Sequence, residues 1–314
     1  MSATVLTRRV EATGLLTGME WTPAEVRDLL RFTAKLKAHP SRYRTALDGR
    51  FVALIFEKPS LRTRVTLEIG AESLGAKTIF LDNTQARLGE REPVKDIAKN
   101  LARWVHAIAV RTFAQETVEE LARHAEIPVV NALSDRFHPC QALADFFTLE
   151  ERFGGLGGLR LAYVGDGNNV CHSLLIAAAQ TGAALRVATP AGYEPDGEIV
   201  RAARRTARQT GASIELFPTP EEAARGAQAI YTDVWASMGQ EGEAGKRAKI
   251  FAPFQVNRRL FAAAAPDAVF LHCLPAHRGL EVTEEVIDSP RSIIYEQAEN
   301  RLHIAKAVLA TLLG

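Results

Sequence analysis

Short, almost wholly apolar runs alternate with longer stretches of helical spacing along the first half of the chain. "RFVALIFE" (50–57) predicts a buried strand, as do "KTIFLD" (77–82), "AIAVRTF" (107–113) and "IPVVNAL" (127–133). After the first of these, "VTLEIGAESLGA" predicts an amphipathic helix whose apolar face is Val65, Leu67, Ile69 and Leu74. "REPVKDIAKNLARWV" and "TVEELARHA" predict further helices, and "TPAEVRDLLRFTAKLKA" one ahead of the first strand. This βαβ rhythm implies a parallel sheet covered by helices on both faces.

A long helical stretch, "PCQALADFFTLEERFG" (139–154), runs into "GGLGG", the best candidate for a domain junction. The alternation then restarts with "LRLAYVG", "VCHSLLIAAAQTG" and "ALRVATP", a helix through 196–210, "SIELF", "AIYTDVW" and "AVFLHCL". The pattern predicts an α/β protein of two domains, each a mostly parallel sheet flanked by helices, with an active site in the cleft between them. Their expected bounds are 1–150 and 151–295, with the last helix, about 296–314 and containing "ENRLHIAKAVLATLL", packing back on the first.

In open parallel sheets ligands gather outside the carboxyl ends of the strands. The unusual polar clusters all fall there. "EKPSLRTR" (57–64) follows "FVALIF", Arg111 ends "AIAVR", and "DRFHPCQ" follows "VVNAL". "GDGNN" (165–169) follows "LAYV", "DVWASMG" (233–239) follows "AIYT", and "HCLPAHRG" (272–279) follows "AVFL". This shared placement is what makes them candidates for one site.

Composition narrows the classes of function. At 314 residues, 47% hydrophobic and 24% charged, the chain is an ordinary globular protein long enough for two cores. A net charge of +1 gives no bulk attraction to nucleic acid or to a membrane surface. The basic run "RAARRTAR" (201–208) lies in a helical pattern and reads as a solvated face. Three scattered cysteines, Cys140, Cys171 and Cys273, form neither a disulfide framework nor a CxxC metal motif. With no long apolar span and no signal-peptide core in "MSATVLTRRV", the expected location is the cytoplasm.

The clusters suggest specific chemistry. In "EKPSLRTR" Ser60 caps the helix and Pro59 fixes the approach, so cations meet unpaired backbone N–H groups at a positive helix end. That is a seat for an anion such as phosphate. "GDGNN" resembles a dinucleotide turn, but Val170 replaces the third glycine. Thr189 and Pro190 stand where an acid for the ribose belongs, which counts against a nicotinamide dehydrogenase. His138 and Gln141 lie three positions apart at a helix start, so both can face a ligand. Asp233 suits an amine, and the Ser237–Met238–Gly239 turn could close over it. Cys273 invites a nucleophile reading with His272 or His277. Adjacent strand residues point to opposite faces, however, so Cys273 reads better as a polar contact.

Taken together, "FEKPSLRTR", "RTF", "HPCQALAD", "VGDGNN", "DVWASMG" and "HCLPAHRG" resemble, in order and spacing, the carbamoyltransferase family, most closely its ornithine-specific branch. The resemblance spans roughly residues 20 to 314. It implies a carbamoyl-phosphate domain and an amino-acid domain bridged by helices, assembled as homotrimers or multiples of trimers. The implied reaction transfers the carbamoyl group of carbamoyl phosphate to the δ-amine of L-ornithine, giving L-citrulline and phosphate for arginine biosynthesis. No metal or organic cofactor is implied. Alternatives are transfer to putrescine, N-acetylornithine or aspartate, and a non-catalytic anion-binding regulator on the same fold.

Residue by residue, the resemblance assigns Ser60, Leu61, Arg62 and Thr63 to the phosphate loop. Arg111 and His138 would contact phosphate and the carbamoyl oxygen, and Gln141 the carbamoyl amide. Asn169, Asp233, Ser237 and Met238 match ornithine-binding positions. Cys273, Leu274 and Arg301 surround the carbamoyl group and the amine, with Cys273 the family's assigned proton acceptor. Thr63, Arg111 and His138 would stabilise the oxyanion of the transition state. Two departures are Leu61, where the family has Thr, and Arg87-Leu88-Gly89, where many relatives have Gln before Leu-Gly. Aspartate-specific relatives read H-R-P-L-P where this chain has His272-Cys273-Leu274-Pro275, and a neutral thiol suits an amine better than a second carboxylate.

Overall fold

A computed structural model describes residues 13–85, 87–236 and 241–314. The chain divides into two compact units, Met1–Ala144 with Glu299–Gly314, and Asp145–Ala298. Both divisions fall inside helices, ahead of the glycine cluster at 154–158 in the first case.

The first unit holds strands β1 (Gly14–Leu15), β2 (Phe51–Phe56), β3 (Lys77–Asp82), β4 (Ala107–Arg111) and β5 (Val129–Leu133). They pair in parallel in the order β1-β5-β4-β2-β3. Its helices are α1 (Pro23–Ala38), α2 (Leu61–Glu72), α3 (Val94–Trp104), α4 (Gln115–Ala125) and the start of α5 (Pro139–Phe153). The central strands are buried on both faces, which is why their sequences are continuous apolar runs instead of alternating ones. Ile55, Val110, Val118 and Leu121 lie in the core under α3 and α4. β3 is an edge strand and alternates accordingly, with Ile79 45% exposed.

The second unit holds β6 (Arg160–Val164), β7 (Ala184–Ala188), β8 (Ser213–Phe217), β9 (Ala229–Thr232) and β10 (Val269–His272). They too are parallel, in the order β10-β9-β6-β7-β8. Its helices are α6 (Asn169–Thr181), α7 (Gly197–Thr210), α8 (Pro220–Ala224), α9 (Ala244–Phe251), α10 (Arg258–Ala262) and α11 (Glu284–Ile287). The closing helix α12 (Ile294–Leu313) starts in this unit and ends in the first. Among the described residues no helix is long and apolar enough to cross a membrane.

Strand order fixes where ligands can bind. In the first sheet the chain lays β3 on one side of β2 and then crosses to lay β4 on the other. The loops after β2 and β4 therefore diverge and leave a crevice at their carboxyl ends. The second sheet repeats this between β6 and β9. "EKPS" and Arg111 flank the first crevice, "GDGNN" and Asp233 the second.

The expected apolar face of α2 is not a face. Leu67 and Leu74 are buried, whereas Val65 and Ile69 are 40% and 49% exposed, in line with a 74% exposed Leu61. Four-residue spacing puts Leu61, Val65 and Ile69 on one outward stripe, and small residues, Gly70 and Ala71, pack inward instead. The stretch of two residues forming β1 was too short to carry a strand pattern.

Candidate active site

Ser60 ends the loop after β2 in extended conformation, and its Oγ accepts the Thr63 N–H at 3.3 Å, starting α2. This leaves the first-turn N–H groups at a positive helix end. Leu61 points outward, so only its backbone belongs to this turn. Arg64 does not join the anion seat: its guanidinium stacks on Phe80 at 3.6 Å and pairs with Glu68 at 3.1 Å. The third cation, Lys58, is buried with its ammonium 4.2 Å from the Phe113 ring centre. Burial, then Arg111, lowers its pKa.

Glu57 organises this region. Its buried carboxylate accepts from the Leu88 and Phe113 backbone N–H groups and from the Thr112 hydroxyl. It thereby ties the loop after β4 and the Arg87–Leu88 turn to the end of β2. Arg87 lies 4.4 Å from the Phe113 ring centre.

Thr63, Gln141 and Arg301 come together although they are far apart in sequence. Arg301 on α12 donates from one Nη to Gln141 Oε1 and from the other to Thr63 Oγ1, both at 2.6 Å. All three side chains are buried. His138 is 3% exposed just ahead of α5, and burial followed by Arg301, Arg111 and Arg62 holds its pKa well below the usual imidazole value. It is therefore a neutral ring in a nest of three guanidinium groups. Arg111 ends β4 where the register against β5 shifts, a bulge that re-aims the strand end. Cys140 beside them is inert, its pKa pushed up to about 12 by burial.

The second unit gathers a different set. Asn168 caps α6, its Oδ1 accepting from Val170 and Cys171 N–H at 3.0 and 3.1 Å. Its amide donates to Asp233 Oδ2 at 2.8 Å, and the Cys273 thiol donates to Asp233 Oδ1 at 3.0 Å. Asp233 is 5% exposed, and Asn169 starts α6 directly after Asn168. A Cβ on Gly167 would overlap the backbone of Tyr193–Pro195, so that glycine serves loop packing. β7 ends into Thr189 and Pro190, so no acid follows it for a ribose.

Cys273 and His272 do not form a dyad. His272 Nδ1 accepts the Leu274 N–H at 2.9 Å, so Nε2 carries the proton and donates to Glu281 at 3.3 Å. Its backbone N–H donates to Gln297 Oε1 at 3.0 Å. Asp233, His272 and Cys273 offer ligand atoms within 4.8 Å of one another, but both imidazole nitrogens are committed. The donor set therefore suits a hydrogen-bonded relay better than a metal. Leu274 has φ +60°, a conformation unfavourable for a leucine that turns the strand end sharply.

Arg247 on α9 braces the neighbouring loops, donating to Asp166 at 2.8 Å, the Trp235 carbonyl at 2.9 Å and Glu243 at 3.1 Å. Burial raises the Asp166 pKa to about 6 against the opposing pull of Arg247. Ser237 and Met238 lie outside the described residues. Asn168, Glu281, Gln297, Arg247 and Glu57 escaped sequence reasoning as functional residues. Asn168, inside "GDGNN", and Glu57, which opens "EKPSLRTR", were the two lying in clusters the sequence marked.

Comparison with known proteins fits this arrangement. Residues 14–151 match the family model for the aspartate/ornithine carbamoyltransferase carbamoyl-P binding domain, and residues 157–312 match its Asp/Orn binding domain. The chain belongs to the aspartate/ornithine carbamoyltransferase family. Within this family it is 56% identical over 292 residues to the ornithine carbamoyltransferase of Thermus thermophilus, covering 93% of each chain. It is 50% identical over 305 residues to that of Pyrococcus horikoshii, covering 96% of this chain and 95% of the relative. The solved ornithine carbamoyltransferase from Pyrococcus furiosus superposes with a TM-score of 0.94 at 47% identity, covering 98% of this chain and 99% of that one. An anabolic ornithine carbamoyltransferase from Campylobacter jejuni gives 0.91 at 37% identity, covering 96% and 99%.

Proposed function

We propose that the protein transfers the carbamoyl group of carbamoyl phosphate to the δ-amine of L-ornithine, releasing L-citrulline and phosphate. The observation that carries the choice of amine is Asp233, held between the Asn168 amide and the Cys273 thiol. A carboxylate beside a neutral thiol receives an ammonium group. It offers nothing to a second substrate carboxylate.

The first unit would take carbamoyl phosphate. Ser60, Arg62 and the backbone N–H groups of Leu61 and Thr63 receive the phosphate at the α2 end. Arg111, His138 and the Thr63 hydroxyl face the carbamoyl oxygen, and Gln141 holds the amide. Arg301 positions Thr63 and Gln141 together. His138 is suited to donate as a neutral imidazole, because burial and three guanidinium groups keep it unprotonated. As the amine attacks the carbonyl carbon, negative charge builds on that oxygen while the bond to phosphate breaks. Donors already in place stabilise this charge, at about 3–4 kcal/mol for each one.

The second unit would take ornithine, with Asn169, Asp233, Ser237 and Met238 orienting it and Leu274 facing the carbamoyl amine. The δ-ammonium must lose a proton before attack. Cys273 accepts it as its own thiol proton passes along the 3.0 Å hydrogen bond to the Asp233 carboxylate. Arg87, where many relatives have Gln, lies 4.4 Å from the Phe113 ring centre.

Physiologically we infer citrulline synthesis within cytoplasmic arginine biosynthesis. Supporting a homo-oligomer, trimeric or a multiple of trimers, the stripe of Leu61, Val65 and Ile69 with Ile79 on edge strand β3 leaves apolar surface uncovered. The decisive assay compares four amines, ornithine, aspartate, putrescine and N-acetylornithine, each with carbamoyl phosphate. Ornithine should be turned over at least a hundredfold faster than the others. Faster turnover of another amine would overturn the substrate, and turnover of none would leave a binding protein.

A further inference from the structure

A cavity lies at the end of the first sheet opposite the anion seat, on the amino-terminal side of β2, β4 and β5, with a volume of about 740 Å³. Strands of five and six residues separate it from the anion seat by roughly 17–20 Å. Its lining includes Arg50, Arg103, Trp104, His106, Glu126 and Thr311.

Several of these groups are arranged for a ligand, and Thr311, Arg50, Arg103 and Glu126 have no side-chain hydrogen-bond or ion-pair partner among the described residues. Thr311 is 9% exposed, and its hydroxyl makes no hydrogen bond among the described residues. Other helical threonines behave differently: Thr33, Thr66 and Thr181 return their hydroxyls to the carbonyl four residues back, at 2.8, 2.7 and 2.8 Å. A buried hydroxyl left unsatisfied beside a cavity is a demand for an external partner. His106 Nδ1 accepts the Phe51 N–H at 3.1 Å, which fixes the proton on Nε2 as a further donor. Arg50, Arg103 and Glu126 make no side-chain hydrogen bond or ion pair among the described residues.

Glu126 adds a second oddity. It follows α4 with φ +56°, the left-handed conformation that glycine takes at the same position after α6 (Gly182) and α7 (Gly211). A glutamate tolerated where glycine is easier points to use of its carboxylate. The carboxyl ends of α3, α4 and α12 also line the cavity, each carrying partial negative charge. Trp104 is 67% exposed at its edge.

We propose that this cavity binds a free basic α-amino acid. Arg50 and Arg103 take the carboxylate, Glu126 and the helix ends take the α-ammonium, and the side-chain cation lies on Trp104. An anion alone would be repelled by Glu126 and the three helix ends, and a cation alone by the two arginines. Only a molecule carrying both signs satisfies the lining. The inference is independent of the reaction assigned above.

The test is calorimetric titration of the full chain with L-arginine, with agmatine lacking the carboxylate and L-norleucine lacking the side-chain cation as comparators. Saturable L-arginine binding should survive Asp233→Asn and weaken at least tenfold in Arg50→Gln and in Glu126→Gln. Thr311→Val, which keeps shape and removes only the hydroxyl, should fold normally and bind about threefold more weakly by loss of a neutral hydrogen bond. Both comparators should bind at least tenfold more weakly than L-arginine. Absence of saturable binding overturns the proposal. So does binding lost in Asp233→Asn but kept in Arg50→Gln, which would belong to the other half-site, and so does agmatine or norleucine binding as tightly as L-arginine.

Discussion

At the switch point of the first sheet, Arg62, Arg111 and Arg301 surround a neutral His138, and the buried hydroxyl and amide of Thr63 and Gln141 are held by one guanidinium. At the switch point of the second sheet a carboxylate stands in the equivalent place, Asp233, gripped by an amide and a thiol. Both sheets are parallel, five-stranded and crossed by the chain at their centre, although the first has one strand beyond β2 and the second two beyond β6. Topology decides where each half-site lies, and a few side chains at the strand ends decide its sign. A dianion and a cationic amine would thus be sorted between two copies of one architecture.

Breaking the cationic side should cost most. Arg111→Ala should lower kcat about 10²–10³-fold, some 3–4 kcal/mol of transition-state stabilisation, with the circular dichroism spectrum unchanged. A rate within a few-fold of wild type would remove Arg111 from the reacting oxygen. Breaking the acidic side should cost less and show elsewhere. Asp233→Asn should raise the KM for ornithine by about 2–3 kcal/mol, the worth of a hydrogen bond to a charged group, while the KM for carbamoyl phosphate stays put.

The two units should also differ in how pH acts on them. His138 has its pKa depressed in the folded state, so its contribution to stability is present above about pH 6.5 and lost as pH falls. Asp166 has its pKa raised from 3.8 to about 6, so its contribution is present below about pH 4 and lost as pH rises through 6. Urea unfolding should therefore give opposite changes in the two variants. His138→Asn should flatten the loss of stability on acidification, and Asp166→Asn should gain about 2 kcal/mol relative to wild type at pH 7 over pH 4. Equal pH profiles in both variants would refute the assignment of opposite signs.

The smallest effect is expected at Leu61. Its side chain is 74% exposed and only its N–H faces the turn, so Leu61→Thr should change the carbamoyl-phosphate KM by less than about twofold, within the usual range for a surface change. A large gain in affinity would show that the missing hydroxyl matters.

What the sequence revealed follows from how local each signal is. β2 and β4 were legible because a strand buried on both faces is continuously apolar, and the polar clusters stood out by ending such runs. Ser60, Arg111, His138 and Asp233 could be nominated on that ground alone. Leu274 and Arg301 came from the family resemblance, since a residue next to a turn and an arginine in a helix carry no pattern of their own. The apolar face of α2 was misassigned because Val65 and Ile69 are apolar without being buried, and hydrophobicity does not say which surface it will meet. Asn168, Glu281 and Gln297 act through partners distant in sequence, such as Asp233 for Asn168 and His272 for Glu281 and Gln297. Such pairings exist only once the sheet has assembled.

The division between the two half-sites is tested most directly by titrating carbamoyl phosphate into wild-type, Arg111→Ala and Asp233→Asn proteins and measuring Kd in each. Asp233→Asn should bind within about twofold of wild type, while Arg111→Ala loses at least tenfold, about 1.4 kcal/mol. A tenfold loss in Asp233→Asn, or wild-type affinity in Arg111→Ala, would contradict the assignment of the anion to the first unit.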